Sequence, residues 1–453
     1  MAKSSSNFQI ILTVVFIVFA VVAVLIFAGI INVGGSKSGA AAATGKVAIW
    51  GTIPKAAMNR LLADFNQLNN GSYSVSYEEK DPATIDSDLV EALASGLGPD
   101  LVLTPNDKIL KYRNFIAPIP YTSLPEATFN STFIQEADLN LMPEGIMGFP
   151  ILADPIVMYY NLDMLQSAGI ALPPKTWDDV TALVPSLTAR DNVTNAIKKS
   201  AVALGTYDNI DHAKDIISLL LLQAGNPIIS LAGGQLQASL GNNSAGGLSG
   251  VSKSAMQYYM SFSNPAQSAY SWNKSRADSR TAFIQGDLAL YFGYASELFS
   301  IQTQNPNLNF DVAMIPQLKD AQAKSTFGRM MSLAVLKSSK NITTAYIAGN
   351  QLSGADFAGK LAAVPELSLP PARRDLLSVR PTGNNQAYLL TFYNSALISK
   401  AWLDPDPTAT DKIFSDMVGN ISSGLETYDS AISQANDTLD LVLRTLPPMV
   451  PAQ

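Results

Sequence analysis

The sequence predicts an α/β protein of two lobes, each a mostly parallel sheet flanked by helices, behind an N-terminal transmembrane helix. Three observations carry this. At 453 residues the chain exceeds what one hydrophobic core ordinarily supports, so two lobes are expected. From Lys46 onward, apolar runs of strand length alternate with amphipathic segments, a βαβαβ rhythm that builds parallel sheets. The 22 residues from Ile10 to Ile31 carry no charge, and at about 1.5 Å per residue they span roughly 33 Å, enough for a bilayer core.

Residues 1–9 form a short lead-in and 10–31 the membrane segment. The apolar core of a signal peptide runs about 7–15 residues, so the longer stretch here reads as an uncleaved anchor. Ala40 to Ala43 supply the alternative, a small-residue cleavage site. Residues 32–45 are rich in Gly, Ser and Ala and read as a flexible tether. Charged residues make up 15% of the chain and the net charge is −7, which leaves no basic footprint for nucleic acid. Cysteine is absent and histidine occurs once, at His212, so disulfides, thiolate metal sites and histidine-rich metal sites are excluded.

The folded part opens with the strand Val47-Ala48-Ile49-Trp50. Pro54 suits the first turn of a helix with apolar positions at Met58, Leu61, Leu62, Phe65 and Leu68, stopped by Asn69-Asn70-Gly71. A strand around Val75–Tyr77, a helix spaced on Ile85, Leu89 and Leu93 that Gly96 ends, and the strand Leu101-Val102-Leu103 complete the first unit. Ligands of such sheets sit beyond the carboxyl ends of the strands, where Trp50 and the Thr104–Asp107 loop fall. Phe149 to Tyr160 is extended and runs into a helix that Asn161 caps and Gly169 ends; Thr176 with Asp179 forms a capping box at Trp177. Asp211–Gln223 reads as a buried helix, 226–250 as a hairpin or loop, and a helix around Met256–Phe262 stops before Pro265. Ser275 is placed to cap the helix carrying Phe283, which Gly286 ends, followed by a strand at Leu288–Phe292. Phe310–Ile315 is a second crossing between lobes, Met331–Leu336 a strand, and helices follow near Thr343–Leu352, Ala387–Ala401, Thr410–Val418 and Thr427–Leu446.

Three runs carry a family likeness: Ala92-Leu93-Ala94-Ser95-Gly96 with Pro99-Asp100-Leu101-Val102; Tyr159-Tyr160-Asn161 with Asp163, Ala168-Gly169 and Pro173-Pro174-Lys175-Thr176-Trp177-Asp178; and Ala282-Phe283-Ile284-Gln285-Gly286-Asp287-Leu288-Ala289. In this order they resemble the family-1, maltose-binding-like extracellular solute-binding proteins of ABC importers. The resemblance implies a periplasmic-binding-protein-like fold, with one lobe from 46–152 and 317–370 and the other from 153–316 and 371–446. The third crossing falls at Pro370-Pro371-Ala372-Arg373-Arg374. It also orients the chain, placing its bulk outside the cell.

A sugar site needs flat apolar faces for C–H surfaces and polar groups for hydroxyls. Trp50 at a strand end either faces the cleft or packs in the core. The resemblance puts Asn106 and Asp107 in a ligand-contacting loop and Asp154 at an acidic contact in the crossover. Strand alternation splits Tyr159 and Tyr160 between core and surface, and adjacent phenolates can also hold ferric iron; Tyr160 is the candidate contact. Trp272 and Trp402 are candidate stacking platforms. Tyr291, Tyr294 and Glu297 gather at a strand end, where many relatives carry a Ser-Trp pair and this chain has Ala295-Ser296. Arg329 brings a guanidinium near the cleft.

These readings point to a non-catalytic, monomeric receptor without cofactor or metal. It is tethered by its N-terminal helix, closes over a mono- or oligosaccharide and delivers it to a permease. A glycoside hydrolase, with Asp107 and Asp154 as its carboxylates, is a rival, but no phosphate loop, HExxH or GxSxG motif is present. A tethered sensor or adhesin without an importer is another. The anchor reading predicts that intact-mass measurement of the membrane-extracted protein finds residues 10–31 retained; a mature chain starting at or after Ala43 contradicts it.

Overall fold

The computed structural model describes residues 44–447 except 233, 242–248 and 383–384. The lead-in, the anchor at 10–31 and nearly all of the tether lie outside the described residues. Among the described residues no helix is long and apolar enough to cross a membrane.

Strand β1 (Gly45–Gly51), helix α1 (Lys55–Leu68), β2 (Tyr73–Glu79), α2 (Ile85–Ala94) and β3 (Leu101–Pro105) follow the predicted order. Met58, Leu62 and Phe65 bury one face of α1, as their helical spacing requires. The 13-residue strand β4 (Phe149–Asn161) leads into α3 (Leu162–Ser167). The Asn161 side chain accepts from Met164 N–H at 2.9 Å, and Gly169 takes the left-handed φ of +72° that ends this turn. The capping box at Thr176 and Asp179 opens α4 (Trp177–Leu187). Then come β5 (Ile197–Val202), α5 (Ala213–Gln223), α6 (Ser249–Ser261), β6 (Leu288–Tyr294), β7 (Phe310–Ala313), β8 (Thr326–Val335), α7 (Ile342–Leu352), β9 (Ser399–Lys400), α8 (Pro407–Ser423) and α9 (Tyr428–Leu443). Asp278, not Ser275, stands at the N-cap of the short helix before β6; the Ser275 N–H is turned instead onto Asn273 Oδ1.

The main sheet runs β2-β1-β3-β8-β4-β6-β5. β1 pairs in parallel with β2 and β3, and β6 with β5. At the centre the ladders are antiparallel: β8 with β3 and with β4, β4 with β6 and β7. The sheet is therefore mixed rather than mostly parallel, because the two long strands belong to both halves of the molecule and run against the strands they join. The first part of β4 (Phe149–Pro155) pairs with β8, while its second part (Ile156–Asn161) pairs with β6 and β7. β8 does the reverse, pairing Thr326–Phe327 with β9 and Met331–Val335 with β3. A further link runs alongside, Ala153 N–H donating to Pro370 O at 2.8 Å.

Thr176→Ala removes the side-chain acceptor of the α4 box. It is expected to cost about 1 kcal/mol in chemical denaturation, while Thr176→Ser stays near wild type.

Candidate ligand-binding site

Where β4 and β8 lie side by side, Asp154 faces Arg329 and Pro155 faces Gly328. From this crossing the Arg329 guanidinium reaches α5, donating to Asp215 Oδ2 at 2.9 Å. It also lies 4.4 Å from the centre of the Tyr294 ring, whose negative face attracts a cation. Tyr294 ends β6 and donates its hydroxyl to the same Asp215 oxygen at 2.8 Å. Burial pushes the Asp215 carboxyl upward, but Arg329, Lys214 and His212 outweigh it and hold the group below the usual range.

The start of α5 is why these charges meet. His212 adopts a left-handed φ of 60° at its N-cap, and the sharp turn delivers Lys214 and Asp215 to this crossing while Ile216–Leu221 stay in the core. His212 Nε2 stands 2.7 Å from Glu297 Oε1. Glu297 also accepts from Tyr291 OH at 2.6 Å and from Tyr294 N–H at 2.8 Å, fixing the Tyr294 backbone. On the other side, Lys214 Nζ donates to Asp404 Oδ2 at 2.8 Å, and Trp402 Nε1 donates to Ser218 Oγ at 3.1 Å. Burial pushes Asp404 up to about 6, against the pull of Lys214.

Asp107 faces this cluster from the turn after β3. Its Oδ1 is buried and, among the described residues, has no hydrogen-bond partner; burial raises its pKa while Arg329 and Lys214 pull it down. Asp107, Asp215, Asp404, Lys214, Arg329 and Trp402 border a cavity of about 10 Å³, the room of one water.

Of the residues expected to touch ligand, the structure brings Asn106, Asp107, Arg329 and Trp402 to the cavity. Tyr291, Tyr294 and Glu297 stand behind it. Asp154 lies on the crossing strand, accepting from Ser296 N–H at 2.9 Å. Three others are elsewhere. Trp50 packs beside the cluster of Leu89 and Val102 with the Lys80 ammonium 3.7 Å over its ring. Tyr160 donates to Asp311 at 3.1 Å, whereas Tyr159 donates to Tyr294 O at 2.8 Å, so the adjacent phenols are committed to different partners rather than to one ion. Trp272 is fully buried, because its ring carries core packing and its Nε1 is bonded to Asn209 at 3.3 Å. Sequence reasoning missed Lys214, Asp215 and Asp404. The signal was available for two of them: a charged pair in the first turn of an otherwise apolar helix.

Residues 60–347, well over half of the chain, match the family of bacterial extracellular solute-binding proteins, and the chain belongs to that family. A binding protein of Brucella abortus is 26% identical over 199 residues, 43% of this chain and 43% of its own; the chain thus spans about two fifths of the length of the curated relatives it matches. An ABC transporter solute-binding protein from Thermotoga lettingae, bound with α-D-tagatose, superposes with TM-score 0.65 at 19% identity over 88% of this chain and 100% of that one. The cyclic α-maltosyl-1,6-maltose binding protein from Arthrobacter globiformis does so with TM-score 0.71 at 15% identity over 88% and 99%. The likeness establishes the fold, a two-lobed periplasmic-binding-protein-like α/β architecture.

Burial raises Asp154 to about 6 in the folded chain, against the Ser296 contacts. A carboxyl raised on folding gives stability that is complete below its unfolded pKa of about 4 and is lost as pH rises through about 6. Asp154→Asn keeps the acceptor and removes the charge. Its melting temperature relative to wild type is expected to climb from pH 4 to 6 and level off above; a constant difference contradicts this placement.

Proposed function

We propose that this protein is a membrane-tethered extracytoplasmic receptor that closes two lobes, 46–152 with 317–370 and 153–316 with 371–446, over a small carbohydrate and presents it to an ABC importer. The observation that carries the proposal is the Asp107 oxygen at the seam that has no hydrogen-bond partner among the described residues, beside Arg329, Lys214, Asp404 and the Trp402 ring. A buried acceptor without a donor costs free energy, and a solute hydroxyl entering as the lobes part and reclose satisfies it. Carboxylates that accept, cations that donate and an aromatic edge together match the mixed faces of a sugar. Membership of the family and the fold of these two neighbours, both described with a bound or named sugar, support the same reading. Ion pairs fix Arg329 on Asp215 and Lys214 on Asp404, which sets these groups for holding a guest rather than for activating water and favours a receptor over a hydrolase.

The open form exchanges with the shut one, and a solute that contacts both lobes shifts the balance toward closure. A thermal-shift screen of mono- and oligosaccharides against the purified full-length protein in detergent is expected to find a stabilising sugar. Asp107→Ala then weakens its binding at least roughly tenfold, the scale of a hydrogen bond to a charged group, with an unchanged or higher melting temperature. Trp50→Ala, removed from the seam, leaves affinity intact and lowers stability. A screen in which polyamines or ferric salts bind and sugars do not would reject the carbohydrate assignment.

A further inference from the structure

We infer that Glu136 is held as a neutral carboxylic acid across the seam, and that it positions the solute site by fixing Asn106 and the β8 backbone that carries Arg329. The inference deepens the proposed solute site and depends on that reading for its use. Glu136 lies in the turn Gln135–Asn140 and is 2% exposed. Its Oε1 accepts from Asn106 Nδ2 at 3.3 Å and its Oε2 stands 2.6 Å from Ser399 Oγ on β9. The β8 backbone presses against it at Gly328, where a Cβ would come within 2.9 Å of the carboxyl carbon. Among the described residues no cation acts on it; the charge that does, Asp154 on β4, is repulsive.

Hydrogen-bond bookkeeping decides the proton. Ser399 has one hydroxyl hydrogen and two acceptors within reach of it, Glu136 Oε2 at 2.6 Å and Ala396 O at 2.9 Å. If Glu136 carries a proton, Oε2–H donates to Ser399 Oγ, Ser399 donates onward to Ala396 O, and every group is satisfied. An ionised Glu136 leaves one of these contacts without a hydrogen and a buried charge without a counter-ion. Burial drives the pKa to about 8, against the Ser399 contact and with help from Asp154.

The positioning runs through Asn106. Its amide donates to Glu136 while its Oδ1 accepts from Met330 N–H at 3.1 Å, one residue beyond Arg329. Ionisation calls for water, which reaches this carboxyl only if Ser399 and Gly328 draw away, loosening the wall on which Asn106 and Arg329 stand. Because the folded pKa exceeds the unfolded value of 4.5, the stabilisation is complete at low pH and disappears as pH rises through about 8.

Two ligand-free measurements on the full-length protein in detergent micelles test this, so failure of the sugar reading leaves them intact. In the infrared difference between wild type and Glu136→Gln at pH 7, the carbonyl stretch of a protonated buried carboxyl is expected in wild type alone; carboxylate bands in its place overturn the assignment. In hydrogen exchange, protection of the peptide spanning Met330 should fall on the order of tenfold beyond the intrinsic rate change between pH 7 and 9 in wild type, and stay level in Glu136→Gln. Equal losses in both overturn the positioning role. Should Glu136→Gln not fold, Ser399→Ala serves: the carboxyl band shifts to higher wavenumber as its O–H loses its acceptor, and an unmoved band refutes the inference.

Discussion

Because β4 and β8 pair with each other from Phe149 to Pro155 and from Gly328 to Leu333, while their other residues pair with different neighbours, one short antiparallel ladder sets the geometry of the whole seam. It fixes Asp154 and Arg329 side by side, and it passes Gly328 close enough to Glu136 that no side chain fits there. A strand shared by two half-sheets is also a natural flexure, since small changes in twist along it turn one half against the other without breaking the pairs inside either.

The electrostatics of the seam follow from that geometry. Arg329 sits between Asp215 and the Tyr294 ring, and its side chain is 40% exposed, whereas Asp215 is 7% exposed. Solvent screens the pair on one side, so it is better viewed as an arrangement that prices the open and shut forms similarly than as a structural rivet. Lys111 and Asp406 approach to 3.7 Å, another partly exposed contact of small worth.

Much of the fold was legible because it rests on local rules. Pro54, Asn161, Thr176 with Asp179, Gly96 and Gly169 punctuate helices through capping and backbone freedom, which depend on neighbours in sequence. Strand direction was not legible. β4 and β8 are apolar runs whether they pair in parallel or antiparallel, and only the long-range ladder decides. The site was half legible for a related reason. Asn106 and Asp107 follow a strand end, where ligand loops belong, whereas Arg329 lies inside β8 beside Asp154; Trp50 also stands near a strand end, but neither position nor ring type reveals which side of a strand or loop a tryptophan occupies. Lys214, Asp215 and Glu136 sit within apolar or featureless segments, and their meaning comes from residues about 30 to more than 250 positions away.

The central claim is that two halves part and reclose around a solute at the β4–β8 crossing. The absence of native cysteine makes paired labels simple: cysteines introduced at Lys55 and Lys274 carry spin labels on opposite sides of the seam. Pulsed electron–electron distance measurement should give two separations without sugar and a single shorter one once the sugar found by thermal shift is added. One unchanging separation, with and without that sugar, would contradict the account.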